Sequence, residues 1–365
     1  MHNKLVILVP WLQKERLNLK VVNISCGLGN QLAAYFNYLV IKRANPEDDI
    51  YINTLIYDIP EADKIVKQWN GYELEKVFDI KLKNIMDVLS KDEQDSIRED
   101  LHATRFWENG YRSSRAILET FNKHGFGFEV AGNFLGDEDY SINQQLKLKV
   151  NKFFSGQSKS LFTYGLKQLA WIIGSGVRRK PTAEFLKKKR DGNVLYFSSF
   201  EGIKSPDLVN EVGPELRKTL VFRPFTDDKN REMLKIIEAT NSVSIHARRS
   251  DYLPYNNDCY KYGYFKRAVK YIRRHVSDPV FVVFSEECEW CKKNRGSIGL
   301  SEKDTVYFVD WNTGADSYRD LQLMSCCKHN IITKSSFGYW AVLLNKNPNK
   351  ITCSQRGDYL TTNHF

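Results

Sequence analysis

The sequence predicts an α/β fold with parallel, doubly wound sheets, and two observations carry that reading. Near the start, a β-branched run at 20–26 is followed by the turn Gly27-Leu28-Gly29 and then by a helical stretch at 30–44. From residue 193 onward, short apolar runs alternate with segments of helical length, and no internal repeat or low-complexity tract interrupts them. Alternation of this kind is the mark of strand–helix–strand units, which place strands in parallel and cover the sheet with helices.

The first helix shows Leu32, Tyr35, Phe36 and Leu39 on one face, the 3.6-residue period expected of a helix packed on a sheet. A second strand follows at 49–55. Between 60 and 190 the pattern weakens. Helical patches occur at 72–78 and 85–99, and turns are marked by Asn109-Gly110 and by Gly125 and Gly127. The basic stretch 178–192 reads as a linker, which divides the chain into an N-terminal domain at 1–190 and a C-terminal one at 191–365. In the latter, strands are expected at 193–199, 242–247, 279–285, 304–310, 329–333 and 350–354. Helices are expected at 206–220 (broken near Gly213-Pro214), 227–239, 261–276, 286–294, 318–328 and 337–346.

A chain of 365 residues can bury two ordinary cores. Hydrophobic residues at 42% and charged residues at 27% fit a soluble globular protein. A net charge of +10 favours an anionic partner: a nucleotide, a phospholipid surface or a nucleic acid. Runs such as Arg178-Arg179-Lys180 and Lys187-Lys188-Lys189-Arg190 read first as solvated faces. Lysine-rich runs interleaved with tyrosine could serve a nucleic acid, but no nucleic-acid module accompanies them, so none is expected as partner. Seven cysteines, an odd number with no secretory signal before them, point to a reducing cytoplasmic compartment. The apolar run 5–12 is too short to span a bilayer. It reads as a leading strand, an extension or a weak contact with the inner face of a membrane.

Four segments carry chemistry. Gly27-Leu28-Gly29-Asn30-Gln31 stands between strand and helix. Small residues there let a phosphate approach a helix N-terminus, although a tight turn capped by Asn30 reads equally well. His246-Ala247-Arg248-Arg249-Ser250-Asp251-Tyr252 follows the carboxyl end of a strand, where ligands bind in open α/β sheets. Two guanidinium forks suit a diphosphate. Adjacent residues rarely share a target, so one arginine is expected on the ligand and the other on a carboxylate such as Asp251. Asp320 opens a helix and could read the edge of guanine or simply favour the helix dipole. Ser335-Ser336 precede another helix, as caps or phosphate donors. Glu286-Glu287, also at a strand end, are given no catalytic role. Cys288-x-x-Cys291 and Cys326-Cys327 lack companions at zinc spacing, and Asp137-Glu138-Asp139 reads as a polar turn, so no metal is expected.

Taken in order, these segments resemble the bacterial α-1,2-fucosyltransferases of glycosyltransferase family 11. The matching pieces are Gly27–Gln31, Tyr196-Phe197-Ser198-Ser199-Phe200, His246–Tyr252, Phe284-Ser285-Glu286-Glu287, Asp320–Ser325, Lys328–Ile332, Ser335–Trp340 and Leu344-Asn345. The family usually has glycine at the positions of Cys26 and Ser250, an Asp-Asp pair at Glu286-Glu287, and Ser-Trp-Trp at Gly338-Tyr339-Trp340. The resemblance implies a GT-B architecture of two Rossmann-like domains facing a cleft, with the donor held mainly by the second. It implies an inverting, metal-independent transfer of L-fucose from GDP-β-L-fucose to the 2-hydroxyl of a terminal β-galactoside, in bacterial surface-polysaccharide synthesis. GDP-fucose is then a donor substrate, no cofactor is needed, and the acceptor is a galactose-containing glycan, free or lipid-linked. Arg248 and Asn30 are the expected catalytic residues. Gly29, His246, Arg249, Asp320, Ser335 and Ser336 are expected to bind the donor, and the base is left unassigned. Two alternatives stay open: a fucosyltransferase of another linkage, and a non-catalytic GDP-sugar-binding or nucleic-acid-binding protein.

Overall fold

The computed structural model describes residues 18–108, 113–131, 157–174, 183–197, 200–356 and 361–365. The chain forms two compact units, Met1–Tyr140 with Pro181–Val221, and Ser141–Lys180 with Phe222–Phe365. The single boundary expected at 190/191 is therefore corrected. Strand Val194–Phe197, assigned from sequence to the second domain, pairs on both edges with strands of the first. A parallel strand inserted between two others cannot be moved without breaking both ladders.

In the first unit, β1 (Lys20–Asn23), β2 (Ile50–Asn53), β3 (Glu129–Ala131) and β4 (Val194–Phe197) form a sheet in the order β2-β1-β4-β3. All three pairings are parallel. Helix Leu28–Ala44 joins β1 to β2 and is buried on nearly all sides from Leu28 to Ile41. It packs against Glu184–Lys187, Glu201–Lys204 and Pro206–Thr219, which explains why its apolar residues exceed a single stripe. Helix Pro206–Thr219 runs through Pro214, where a break was expected. Burial of Leu208, Val212 and Leu216 holds it across the missing N–H donor.

In the second unit, β5 (Asn241–His246), β6 (Pro279–Phe284), β7 (Thr305–Val309), β8 (His329–Ile332), β9 (Thr352–Ser354) and β10 (Asn363–His364) form a sheet in the order β10-β9-β8-β5-β6-β7. Every pairing in it is parallel. The chain winds outward from β5 through β6 to β7, then returns to the other flank of β5 as β8. That reversal puts the topological switch point at the carboxyl ends of β5 and β8. Asn330 of β8 is fully buried. Its amide nitrogen donates to Ser244 Oγ at 2.8 Å and to the Met324 carbonyl at 2.9 Å, and its oxygen accepts from Asn345 at 2.7 Å. The helix expected at 261–276 forms as Tyr264–His275, and a further helix, Leu253–Lys261, precedes it, the two parted at Gly263 where φ is +73°.

The run 5–12, Asn109-Gly110, Asp137-Glu138-Asp139, Arg178-Arg179-Lys180 and Ser198-Ser199 lie outside the described residues. Among the described residues, no helix is long and apolar enough to cross a membrane.

Candidate functional site

The glycine turn belongs to the first unit. Helix Leu28–Ala44 begins directly after Gly27, so Gly29 and Asn30 sit in its first turn, and Asn30 is not the cap. The Asn30 N–H donates to the Gly27 carbonyl at 2.9 Å. Gln31, fully buried, fixes the turn. Its amide nitrogen donates to the Cys26 and Gly71 carbonyls at 2.9 and 2.8 Å, and its oxygen accepts from the Glu73 N–H at 2.8 Å. A Cβ on Gly27 would stand 2.5 Å from the Trp69 ring, so only glycine fits there. Cys26 carries φ +66°, the left-handed region.

The other six expected site residues gather at the carboxyl edge of the second sheet. His246 ends β5 and is 5% exposed, and Phe337 lies 5.9 Å from its ring, centre to centre. Burial first, and the nearby Arg248 charge second, push the imidazole down to about 3, so it is neutral at physiological pH. Its Nδ1 has no hydrogen-bond partner among the described residues and faces Gly338, where a Cβ would come within 2.7 Å. Gly338 therefore makes room for this imidazole.

Arg248 and Arg249 part ways as expected, but with other partners. Arg248 donates to Asp251 at 2.9 Å, comes within 3.8 Å of Glu286 and lies over the Tyr252 ring at 5.4 Å. Arg249, only 8% exposed, stacks 3.3 Å from the Trp290 ring centre and donates from Nε to Glu287 at 2.9 Å. Its geometry is that of a clamp for the loop, which corrects the pairing of Asp251 with the structural arginine.

Glu286 and Glu287, given no role from sequence, hold the loop. Glu286 accepts from the Arg249 N–H at 2.8 Å, and Glu287 accepts from the Ser250 N–H at 2.8 Å. Burial raises the Glu286 carboxyl, and Arg248 only partly offsets this. At Glu287, burial is outweighed by the bonds from Arg249 and Ser250, which lower the carboxyl below its usual range. Ser250 itself has φ +34°.

Asn256 was missed in sequence because it lies on helix Leu253–Lys261, which was not foreseen. Fully buried, it donates to the Arg248 carbonyl at 3.4 Å and to the Lys334 carbonyl at 3.3 Å, stitching the arginine loop to the serine loop. Tyr260 adds a 2.9 Å bond to the Arg248 carbonyl. Ser335 is the N-cap residue of helix Ser336–Leu344, and no hydrogen bond caps that helix from its side chain. Asp320 lies in the first turn of helix Tyr318–Cys326, accepting from Asn312 at 2.9 Å. Burial drives its carboxyl up to about 7 against that bond. Two helix N-termini, two arginines and a neutral imidazole thus share one edge, a constellation suited to a nucleoside diphosphate.

Cys288 and Cys291 are buried thiols, pushed by burial up to about 12 and about 11. Cys288 donates to the Val309 carbonyl at 3.1 Å. Among the described residues, no three His, Cys, Asp or Glu side chains converge as metal ligands.

Residues 224–359 match the family model of Glycosyl transferase family 11. That segment contains all six second-unit site residues and bears out the resemblance read from the motifs. Gly29 and Asn30 lie outside it. An alpha-1,2-colitosyltransferase of Escherichia coli is 36% identical over 130 residues, 34% of this chain and 43% of that protein. The Escherichia coli O-antigen biosynthesis glycosyltransferase WbnK is 31% identical over 126 residues, 33% of this chain and 40% of its own. Human galactoside alpha-(1,2)-fucosyltransferase 1 is 36% identical over 107 residues, 28% of each chain. The match thus spans less than half the length of each of these relatives. Among solved structures, fucosyltransferase NodZ from Bradyrhizobium aligns over 90% of this chain and 93% of its own, at 11% identity and a TM-score of 0.43.

Proposed function

We propose that this protein is a GDP-sugar-dependent, inverting glycosyltransferase that moves L-fucose from GDP-β-L-fucose to the 2-hydroxyl of a terminal β-galactoside. The observation that carries the reading is the Asn256 bridge, which fastens the arginine loop to the start of helix Ser336–Leu344 at the switch point. The family-11 match over the same segment supports it, as do relatives named for α-1,2 transfer.

In this reading the anomeric C–O bond to the diphosphate breaks as the acceptor oxygen attacks from the opposite face. Negative charge grows on the departing GDP, and a pre-placed guanidinium lowers the barrier most where that charge appears. Arg248 supplies it, while Ser335 and Ser336 add donors. Asp320, once ionised, accepts from the paired N–H groups of guanine. Neutral His246 faces the nucleoside. Arg249 keeps Arg248 in place by anchoring its loop. Because the arginine does this work, no metal is required. The acceptor proton passes to a base that stays unassigned, since Asp251 is engaged with Arg248. A GT-B fold class, a bacterial polysaccharide acceptor, in lipid-linked form, and action at the cytoplasmic face of a membrane belong to the same proposal.

Incubation with GDP-fucose and a panel of galactosides, with EDTA present, followed by linkage analysis, tests it. An α-1,2-linked product is expected. Product of another linkage would leave the donor reading and overturn the acceptor one. Thermal stabilisation by oligonucleotide and not by GDP would remove both.

A further inference from the structure

Helix Leu161–Gly174 sits in the second unit and is inside-out. On an ordinary surface helix the apolar stripe faces the core and the charged side chains face water. Here Lys167 is 7% exposed, while Leu161, Phe162, Leu166, Leu169, Ile172 and Ile173 are 46% exposed or more, up to 74% for Phe162. Those six make up more than half of the large apolar side chains left exposed among the described residues. Spacings of three, four and five residues place them along one side of the helix.

The polar side is the one that docks. Tyr164 stacks on Tyr262 with ring centres 4.5 Å apart, and its hydroxyl accepts from Arg267 at 2.7 Å. Just upstream, Ser158 donates its N–H and hydroxyl to buried Asp258 at 2.8 and 2.7 Å. Both the entry to the helix and its inner face are thus fixed, and the apolar side is held outward by specific bonds.

Charge decides what covers it. The sequence from 141 to 180 contains Lys147, Lys149, Lys152, Lys159, Lys167, Arg178, Arg179 and Lys180 and no acidic residue at all. A second copy of this chain would bring the same positive segment against itself. An anionic lipid surface offers both a hydrocarbon layer for the six apolar side chains and headgroup charge for the basic residues that the sequence sets just before and just after the helix, Lys159 and Arg178-Arg179-Lys180. We infer that helix Leu161–Gly174 is an interfacial anchor that docks the protein on anionic membrane surfaces, apolar side down. The assignment does not rest on the transfer reaction.

Co-sedimentation of the full chain with vesicles of phosphatidylethanolamine and phosphatidylglycerol, against vesicles of phosphatidylcholine alone, tests the assignment. Binding is expected to the anionic vesicles, at least about tenfold stronger than to the neutral ones and weakened by salt. The double variant L166E/I173E is expected to lose that binding about tenfold or more, because two charges would enter the apolar layer. Both positions are exposed, so its melting temperature should match the parent's, and GDP affinity reports separately on the nucleotide site. Three results would overturn the inference: no binding by the parent chain, equal binding by parent and variant, or a parent dimer that the variant dissolves, which would make a second copy the occupant.

Discussion

At the scale of single residues, Asp320 is the most informative group. Its carboxyl stands near 7 in the folded protein against 3.8 ordinarily, because burial outweighs its one bond from Asn312. The folded state therefore holds this proton more tightly than the unfolded chain. The group favours folding most below 3.8 and becomes a progressive cost as pH climbs towards about 7. Guanine needs the ionised form. Affinity for GDP should rise about tenfold between pH 6 and 8, following the ionised fraction. Asp320→Asn should weaken GDP by about tenfold to a hundredfold and flatten that pH dependence, both measurable by titration calorimetry. Cys26 offers a test in the other unit. A side chain at φ +66° is strained by about 1 kcal/mol, and family 11 usually has glycine there. Cys26→Gly should leave the fold intact and stabilise it by up to about 1 kcal/mol in denaturant unfolding.

At the scale of elements, β5 and β8 are tied together beneath their carboxyl ends by the Asn330 network. Asn330→Ala would leave Ser244, the Met324 carbonyl and Asn345 short of partners in a dry interior. A loss of about 3 kcal/mol is expected in chemical unfolding, far more than an exposed asparagine would cost. The strands of the second sheet were legible in the sequence because buried parallel strands are written as short β-branched runs bounded by turns. His246, Arg248, Asp320, Ser335 and Ser336 were legible because each sits just past a strand or just inside a helix. The loop clamp was not. Glu286 and Glu287 look like any acids at a helix start, and their grip on Arg249 and Ser250 exists only across two neighbouring strands. Helix Leu253–Lys261, with Asn256 on it, was hidden because it is polar and follows its neighbour after a single turn. Helix Leu161–Gly174 was hidden for the opposite reason, since its apolar residues have no core to mark.

At the scale of the whole molecule, the sequence places the break between domains where the pattern becomes regular, yet β4 belongs with the earlier strands. Hydrophobic rhythm tells where strands are and not which sheet receives them. The net charge of +10 sets how the protein meets anions. GDP at a hundred times its dissociation constant should stabilise the folded protein by about 2.7 kcal/mol, read as a rise in melting temperature. Raising the salt should shrink that rise as the arginine and lysine charges are screened.

The most direct measurement compares turnover of GDP-fucose on a galactoside acceptor by the parent chain and by Arg248→Ala, in EDTA, with GDP affinity determined for both. A guanidinium that meets charge only as the diphosphate departs should cost about a hundredfold to a thousandfold in turnover when removed, with a much smaller change in GDP affinity. Turnover by Arg248→Ala close to the parent's would contradict the account.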